Sequence, residues 1–103
     1  MKKTVVHISS DLEPLMPRYL ENRRADVAVL KAAAATANFE QVRALAHTMK
    51  GSGASFGLET ISDIGRALEE AAKSSNTALV ETFIQDFAHF LETLEIIFVD
   101  DMP

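Results

Sequence analysis

The chain contains no cysteine, which excludes disulfide bridges and thiolate metal sites. Glycine is limited to four residues, all between positions 51 and 65, and the three prolines lie near the ends. Ten Lys and Arg stand against fifteen Asp and Glu, a net charge of -5. That balance argues against a nucleic-acid surface as the main role, because phosphate binding needs clustered cations. No apolar run approaches the length of a membrane span. "MKKTVVHI" starts basic but reaches polar "SSD" after only a few apolar residues, too short for the core of a secretion signal. Together these absences predict a soluble, cytoplasmic protein.

The composition that remains is globular: 48% hydrophobic and 24% charged. A chain of 103 residues suffices for one domain, and at this size it should bury roughly two thirds of its unfolded surface. Residues 1–10 read as a lead-in that can be extended. Ser10 or Asp11 can cap a short helical turn in "LEPLM", and Pro14 and Pro17 mark the break before a longer helix. That helix is predicted from Pro17 to Ala37, with Met16, Tyr19, Leu20, Val27, Leu30, Ala34 and Ala37 as its stripe and "ENRRAD" as its solvated start. Asn38, with Gln41 three residues on, caps a helix from Phe39 to Phe56. A third helix runs from Leu58 to Lys73, where Gly65 allows close packing, and Asn76 caps a last helix reaching Phe98. The apolar arc of that last helix is wide enough for more than one neighbour. The prediction is a single all-α domain over 1–103, an antiparallel up-down four-helix bundle with a short N-terminal helix and a frayed tail at 99–103.

One segment breaks the pattern. "HTMKGSGASFG", His47 to Gly57, places three glycines within seven positions of a helical stretch. A glycine in a helix interior costs about 1 kcal/mol relative to alanine. Unrolled at roughly 100° per residue, Val42, Leu45, Ala46, Met49, Gly53 and Phe56 form the core stripe, and His47 lies about 140° from its centre. Arg43 precedes His47 by one turn; Lys50, Gly51 and Ala54 follow it. Gly51 removes the side chain that would crowd the imidazole, and Ala44 and Ala54 extend the low relief. Arg43 and Lys50 place positive charge where an anion on the ring would sit. No carboxylate neighbours His47 on its own helix, so a relay of the serine-hydrolase type has no support. A lone exposed histidine is usually only solvated surface. The glycine one turn beyond it is what distinguishes this one, because surface packing does not require glycine there.

At these residues the sequence resembles the histidine-containing phosphotransfer (HPt) family. His47-Thr-Met-Lys50-Gly51-Ser52-Gly53, followed by Gly57, fits the family pattern of a histidine, a lysine three residues on, a glycine and small residues. The flanking "VRALAHTMKGSGASFGLETISDIGRALEEAAK" is similar to the family's two central helices. The resemblance implies a phosphorelay carrier. His47 Nε2 would accept a phosphoryl group from an aspartate of one receiver domain and pass it to another. The implied partners are response-regulator receiver domains and a hybrid sensor histidine kinase. The resemblance implies no cofactor of the carrier itself, since Mg²⁺ and the catalytic carboxylates belong to the receiver. Lys50 matches the lysine that assists the phosphoryl group, and Gly51 the glycine that keeps the docking face open. Arg43, Ala44 and Ala54 complete that face. Glu69, 22 residues after His47, matches a Gln or Glu that bonds the imidazole Nδ1; pairing with Lys73 four residues on is the alternative. Arg66 stands where the chemotaxis-kinase branch has a second histidine.

His7 and His89 have no partners at metal-ligand spacing, and His89 falls on the polar side of the last helix. No metal site is expected. Two rival functions stay open: a helical adaptor that binds receiver domains without carrying phosphate, and a substrate domain phosphorylated directly by a kinase's ATP-binding module. A monomer is the default expectation.

Overall fold

The computed structural model describes residues 3–100. Strand β1 (Thr4–Ser9) leads through a 3₁₀ turn (Ser10–Leu15) into helix α1 (Met16–Ala35). Helix α2 (Phe39–Ser52), a 3₁₀ turn (Ala54–Phe56), helices α3 (Glu59–Lys73) and α4 (Thr77–Thr93) and strand β2 (Leu94–Val99) follow. Asn38 caps α2 by accepting a hydrogen bond from the Gln41 amide at 3.2 Å, and Asn76 caps α4 through the Leu79 amide at 3.1 Å. Pro17 occupies the first turn of α1, where its missing N–H costs nothing.

The all-α expectation needs one correction. The protein is mostly helical with four helices, but its two ends form a parallel strand pair in register from Thr4↔Leu94 to Ser9↔Val99. The last helix stops at Thr93 rather than Phe98. "LEIIFV" is rich in branched and aromatic residues, which favour a pleated surface. It alternates in the structure: Leu94, Ile96 and Phe98 turn toward the core while Glu95 and Ile97 face outward. The Thr93 hydroxyl donates back to the His89 carbonyl at 3.0 Å and meets the Thr4 hydroxyl at 3.2 Å, joining the helix end to β1. Val99 therefore belongs to a strand rather than to a frayed tail, and Ser10 donates to the Asp100 carboxylate. Residues 101–103 lie outside the described residues.

Smaller boundaries also move. The N-terminal turn is 3₁₀, and its cap is Ser9 rather than Ser10 or Asp11. α1 ends at Ala35, and Ala37 sits in the turn with φ of 55°. α2 ends at Ser52, four residues early, because the chain turns at Gly53 and again at Gly57, whose φ is 78°. "ENRRAD" is not wholly solvated: Arg23 Nε and Asp26 Oδ2 pair at 2.7 Å with both side chains largely covered.

Leu30, Val42, Ala46, Met49, Leu58, Ile61, Leu68, Val80, Ile84 and Phe87 form the centre of one core. α2 and α3 share the most extensive helix contact. Gly65 explains how close they come: a Cβ there would stand 2.6 Å from the Lys50 amide nitrogen and 2.7 Å from the Ala46 carbonyl oxygen. Backbone nearly touches backbone at that point. One turn further along α3, Glu69 faces α2 at the level of His47 and Lys50.

Candidate functional site

Val42, Ala46 and Met49 fix the rotation of α2 by filling the core. That rotation turns His47 outward, with 68% of its side chain exposed. Glu69 reaches it from α3, its own side chain only 9% exposed. Glu69 Oε2 lies 2.9 Å from His47 Nδ1, and Glu69 Oε1 accepts from Lys50 Nζ at 2.6 Å. Each carboxylate oxygen thus has its own partner, and Lys50 is about one third exposed. The Lys50 hydrogen bond holds the Glu69 carboxyl below its ordinary value, and the His47 hydrogen bond adds to this against the opposing effect of burial. An ionised carboxylate can only accept. Nδ1 is therefore the donor, and Nε2 of the neutral ring keeps its lone pair.

The surroundings of the ring are small. Ala44, Gly51 and Ala54 are all exposed. A Cβ added at Gly51 would meet nothing within 4 Å. The contrast with Gly53 is sharp: a Cβ there would lie 2.6 Å from the Ser62 amide nitrogen and 2.8 Å from the Leu58 carbonyl. Internal packing requires glycine at 53 and 65 but not at 51. Arg43 is exposed one turn before His47, beside Phe39 and Lys73, and forms no ion pair among the described residues.

The structure thus brings His47, Lys50 and Glu69 into direct contact and leaves Arg43, Ala44, Gly51 and Ala54 on the open surface around them. Lys73 pairs at 3.8 Å with Glu70, not with Glu69. Arg66 pairs with Asp63 at 3.3 Å on the exposed side of α3. His7 and His89 are both exposed and take no part. Among the described residues no three His, Asp or Glu side chains group as metal ligands would, and no helix is long and apolar enough to cross a membrane.

One cluster beside the site escaped the sequence reading. Tyr19 of α1 stacks on Phe56 with ring centroids 4.0 Å apart, and the Arg23 guanidinium carbon lies 4.9 Å from the centre of the Tyr19 ring. The Tyr19 hydroxyl meets the Ser52 hydroxyl at 3.0 Å, tying α1 to the end of α2 just after Gly51. Burial pushes the Asp26 carboxyl up, and Arg23 opposes that shift. The i,i+3 spacing of Arg23 and Asp26 was the available signal, but nothing local indicated that the pair would be covered. A second residue, Ser62, is buried and accepts from the Ala54 amide at 2.8 Å, fixing the turn after α2.

A family model described as Hpt domain matches residues 15–96. The match contains α1, α2, α3 and α4 entire, together with His47, Lys50 and Glu69. No curated protein and no solved structure matches the chain.

Proposed function

The chain belongs to the Hpt domain family of phosphorelay modules, and from that premise we propose that it carries a phosphoryl group on His47 between receiver-domain aspartates. The observation that supports this best is the environment of the ring. Nδ1 is held by Glu69, and Nε2 is left free on an exposed side chain.

In this reading the Nε2 lone pair attacks the phosphorus of a receiver's aspartyl phosphate. The N–P bond forms as the acyl P–O bond breaks, and the electron pair leaves with the receiver's carboxylate. The Nδ1 proton stays on the ring, where the Glu69 carboxylate balances the positive charge that develops. The reverse steps load the next receiver. Lys50 sits beside the ring as the cation available to the arriving phosphoryl oxygens. Mg²⁺ and further carboxylates are the receiver's contribution. The carrier supplies a positioned nucleophile, and proximity is the main term it offers. Gly51, Ala44 and Ala54 leave room for a concave partner surface, and Arg43 is free to meet an acidic one.

The wider reading is a single domain in the cytoplasm, its helices arranged up and down in antiparallel order. Helix connections over only 36–38, 53–58 and 74–76 favour that arrangement. A hybrid kinase is the upstream partner this implies. The test is transfer from a phosphorylated receiver domain. The chain should gain acid-labile, base-stable phosphate, and His47→Gln should abolish the gain. A wild-type chain that binds several receivers but never takes label would instead be an adaptor. Labelling by a kinase ATP-binding module, with no receiver aspartate present, would mark a direct kinase substrate.

A further inference from the structure

β2 has an unusual burial pattern. Leu94, Ile96, Ile97, Phe98 and Val99 are apolar, five of its six residues, yet none is buried. Its neighbour β1 sends Ile8 fully into the core at 1% exposure. On the outer face Ile97 is 43% exposed and Val5, from β1, 48%. Among the described residues the sheet has two strands, so β2 carries a second edge with no described strand on it. Such an edge presents a row of N–H and C=O groups to any extended chain. The other edge of β1 is different. Consecutive residues Val6 to Ser9 line a cleft together with the chain's own Gly57, Leu58 and Thr60, and Gly57 lies against the Ile8 side chain. β2 also lacks the usual edge protection: it has no lysine, no proline and one charge, Glu95.

We propose that β2 pairs antiparallel with β2 of a second copy of this chain, about a two-fold axis at Ile97, giving a four-stranded sheet. The sequence of the strand suits itself in that register. Ile97 meets the second copy's Ile97 on the outer face. Ile96 meets the second copy's Phe98 on the inner face, and the symmetry repeats that pair. Directly opposed residues share a face in an antiparallel ladder, so outward side chains stay with outward ones. Branched–aromatic cross-strand pairs are stabilising. In the same register Glu95 falls opposite the second copy's Val99 and Asp100 opposite its Leu94, so each copy brings two carboxylates to the seam but no two of them are directly opposed. A two-stranded sheet is marginal by itself, and the pairing brings this one to four strands. One strand pair buries less than a standard interface, so the dimer is reversible, with a dissociation constant on the order of 10 µM or weaker. The family match begins at residue 15 and stops at residue 96, inside β2. The proposed dimer uses strand residues that lie partly outside that match, is independent of the chemistry at His47, and stands as the alternative to the monomer expected from sequence.

Sedimentation velocity on the wild-type chain from about 5 to 500 µM spans the range a weak dimer requires. The average mass should rise from 11.3 kDa toward twice that value. Ile97→Lys, at an exposed position, should keep the helical circular dichroism and stay monomeric throughout. Because the chain has no cysteine, Ile97→Cys gives one thiol per copy. It should form disulfide-linked dimers at least about ten times faster than Ser74→Cys, an exposed control in the α3–α4 turn. A wild-type mass that stays at the monomer value would overturn the proposal. So would dimerisation of Ile97→Lys like wild type, or equal cross-linking of the two cysteine variants.

Discussion

The same substitution at two glycines should have opposite consequences. Gly51→Ala adds a methyl group that touches nothing within 4 Å. The expected change is a gain of about 0.5–1 kcal/mol from helix propensity and the stiffer unfolded chain. For a domain of this size that is a rise in Tm of several degrees, roughly 4–8 °C per kcal/mol. Gly65→Ala adds its methyl 2.6 Å from the Lys50 nitrogen and 2.7 Å from the Ala46 oxygen, where contacts under 3.0 Å are essentially never seen. Both obstacles are backbone, so no side chain can swing aside. α2 and α3 must separate by several tenths of an ångström. Overpacking of this kind costs about 1–3 kcal/mol, which exceeds the propensity gain. The separation also acts on the site. Glu69 holds His47 at 2.9 Å and Lys50 at 2.6 Å across that same interface, and the His47 bond has little length to spare before it ceases to be one. Gly65→Ala should therefore unfold at lower urea with an unchanged m-value, and its His47 ring should lose the single Nδ1–H tautomer in ¹⁵N NMR. A stable Gly65→Ala protein with an intact tautomer would refute the close-approach reasoning. A destabilised Gly51→Ala protein would refute the open-space reasoning.

Four further outcomes are expected. Gly51→Gln should fold normally by circular dichroism yet lose most transfer from a phosphorylated receiver; an unchanged rate would mean that no partner approaches that face. Lys50→Ala should slow transfer or shorten the phosphohistidine lifetime, and if neither moves Lys50 is only the counter-ion of Glu69. Glu69 has a folded-state pKa below its ordinary 4.5, so its ionised form stabilises the fold above that value, and the contribution is lost as pH falls through the depressed value. Urea titrations between about pH 3 and 6 should accordingly show a shallower acid loss for Glu69→Gln than for wild type; parallel curves would show that the Lys50 and His47 contacts are not coupled to folding. Tyr19→Phe removes only the hydroxyl that meets Ser52 and should cost about 1 kcal/mol, read as a lower urea midpoint.

How far these features could be read in advance depends on the range of the interactions behind them. The face of α2 that carries His47 was legible because a 3.6-residue period needs no knowledge of neighbours, and Asn38 and Asn76 marked helix starts through bonds that span three residues. The glycines were separable only in part. Periodicity puts Gly51 outside and Gly53 inside, but the need for glycine at 65 comes from backbone atoms of another helix. Glu69 was ambiguous for a related reason. Its Lys73 alternative is local, whereas its actual partners lie 22 and 19 residues away. β2 was misread as helix because apolar residues at 94, 96, 97 and 98 satisfy both periods. What decides for a strand is β1, some ninety residues earlier, which offers Thr4 to Ser9 as a template. Arg23 and Asp26 are solvated by any local rule, yet both are largely covered in the fold, where Arg23 lies over the Tyr19 ring that stacks on Phe56. The parts of the site that a single helix can build were therefore visible in the sequence. The parts that need α3 or the opposite end of the chain required the fold, and these include the carboxylate that orients the ring.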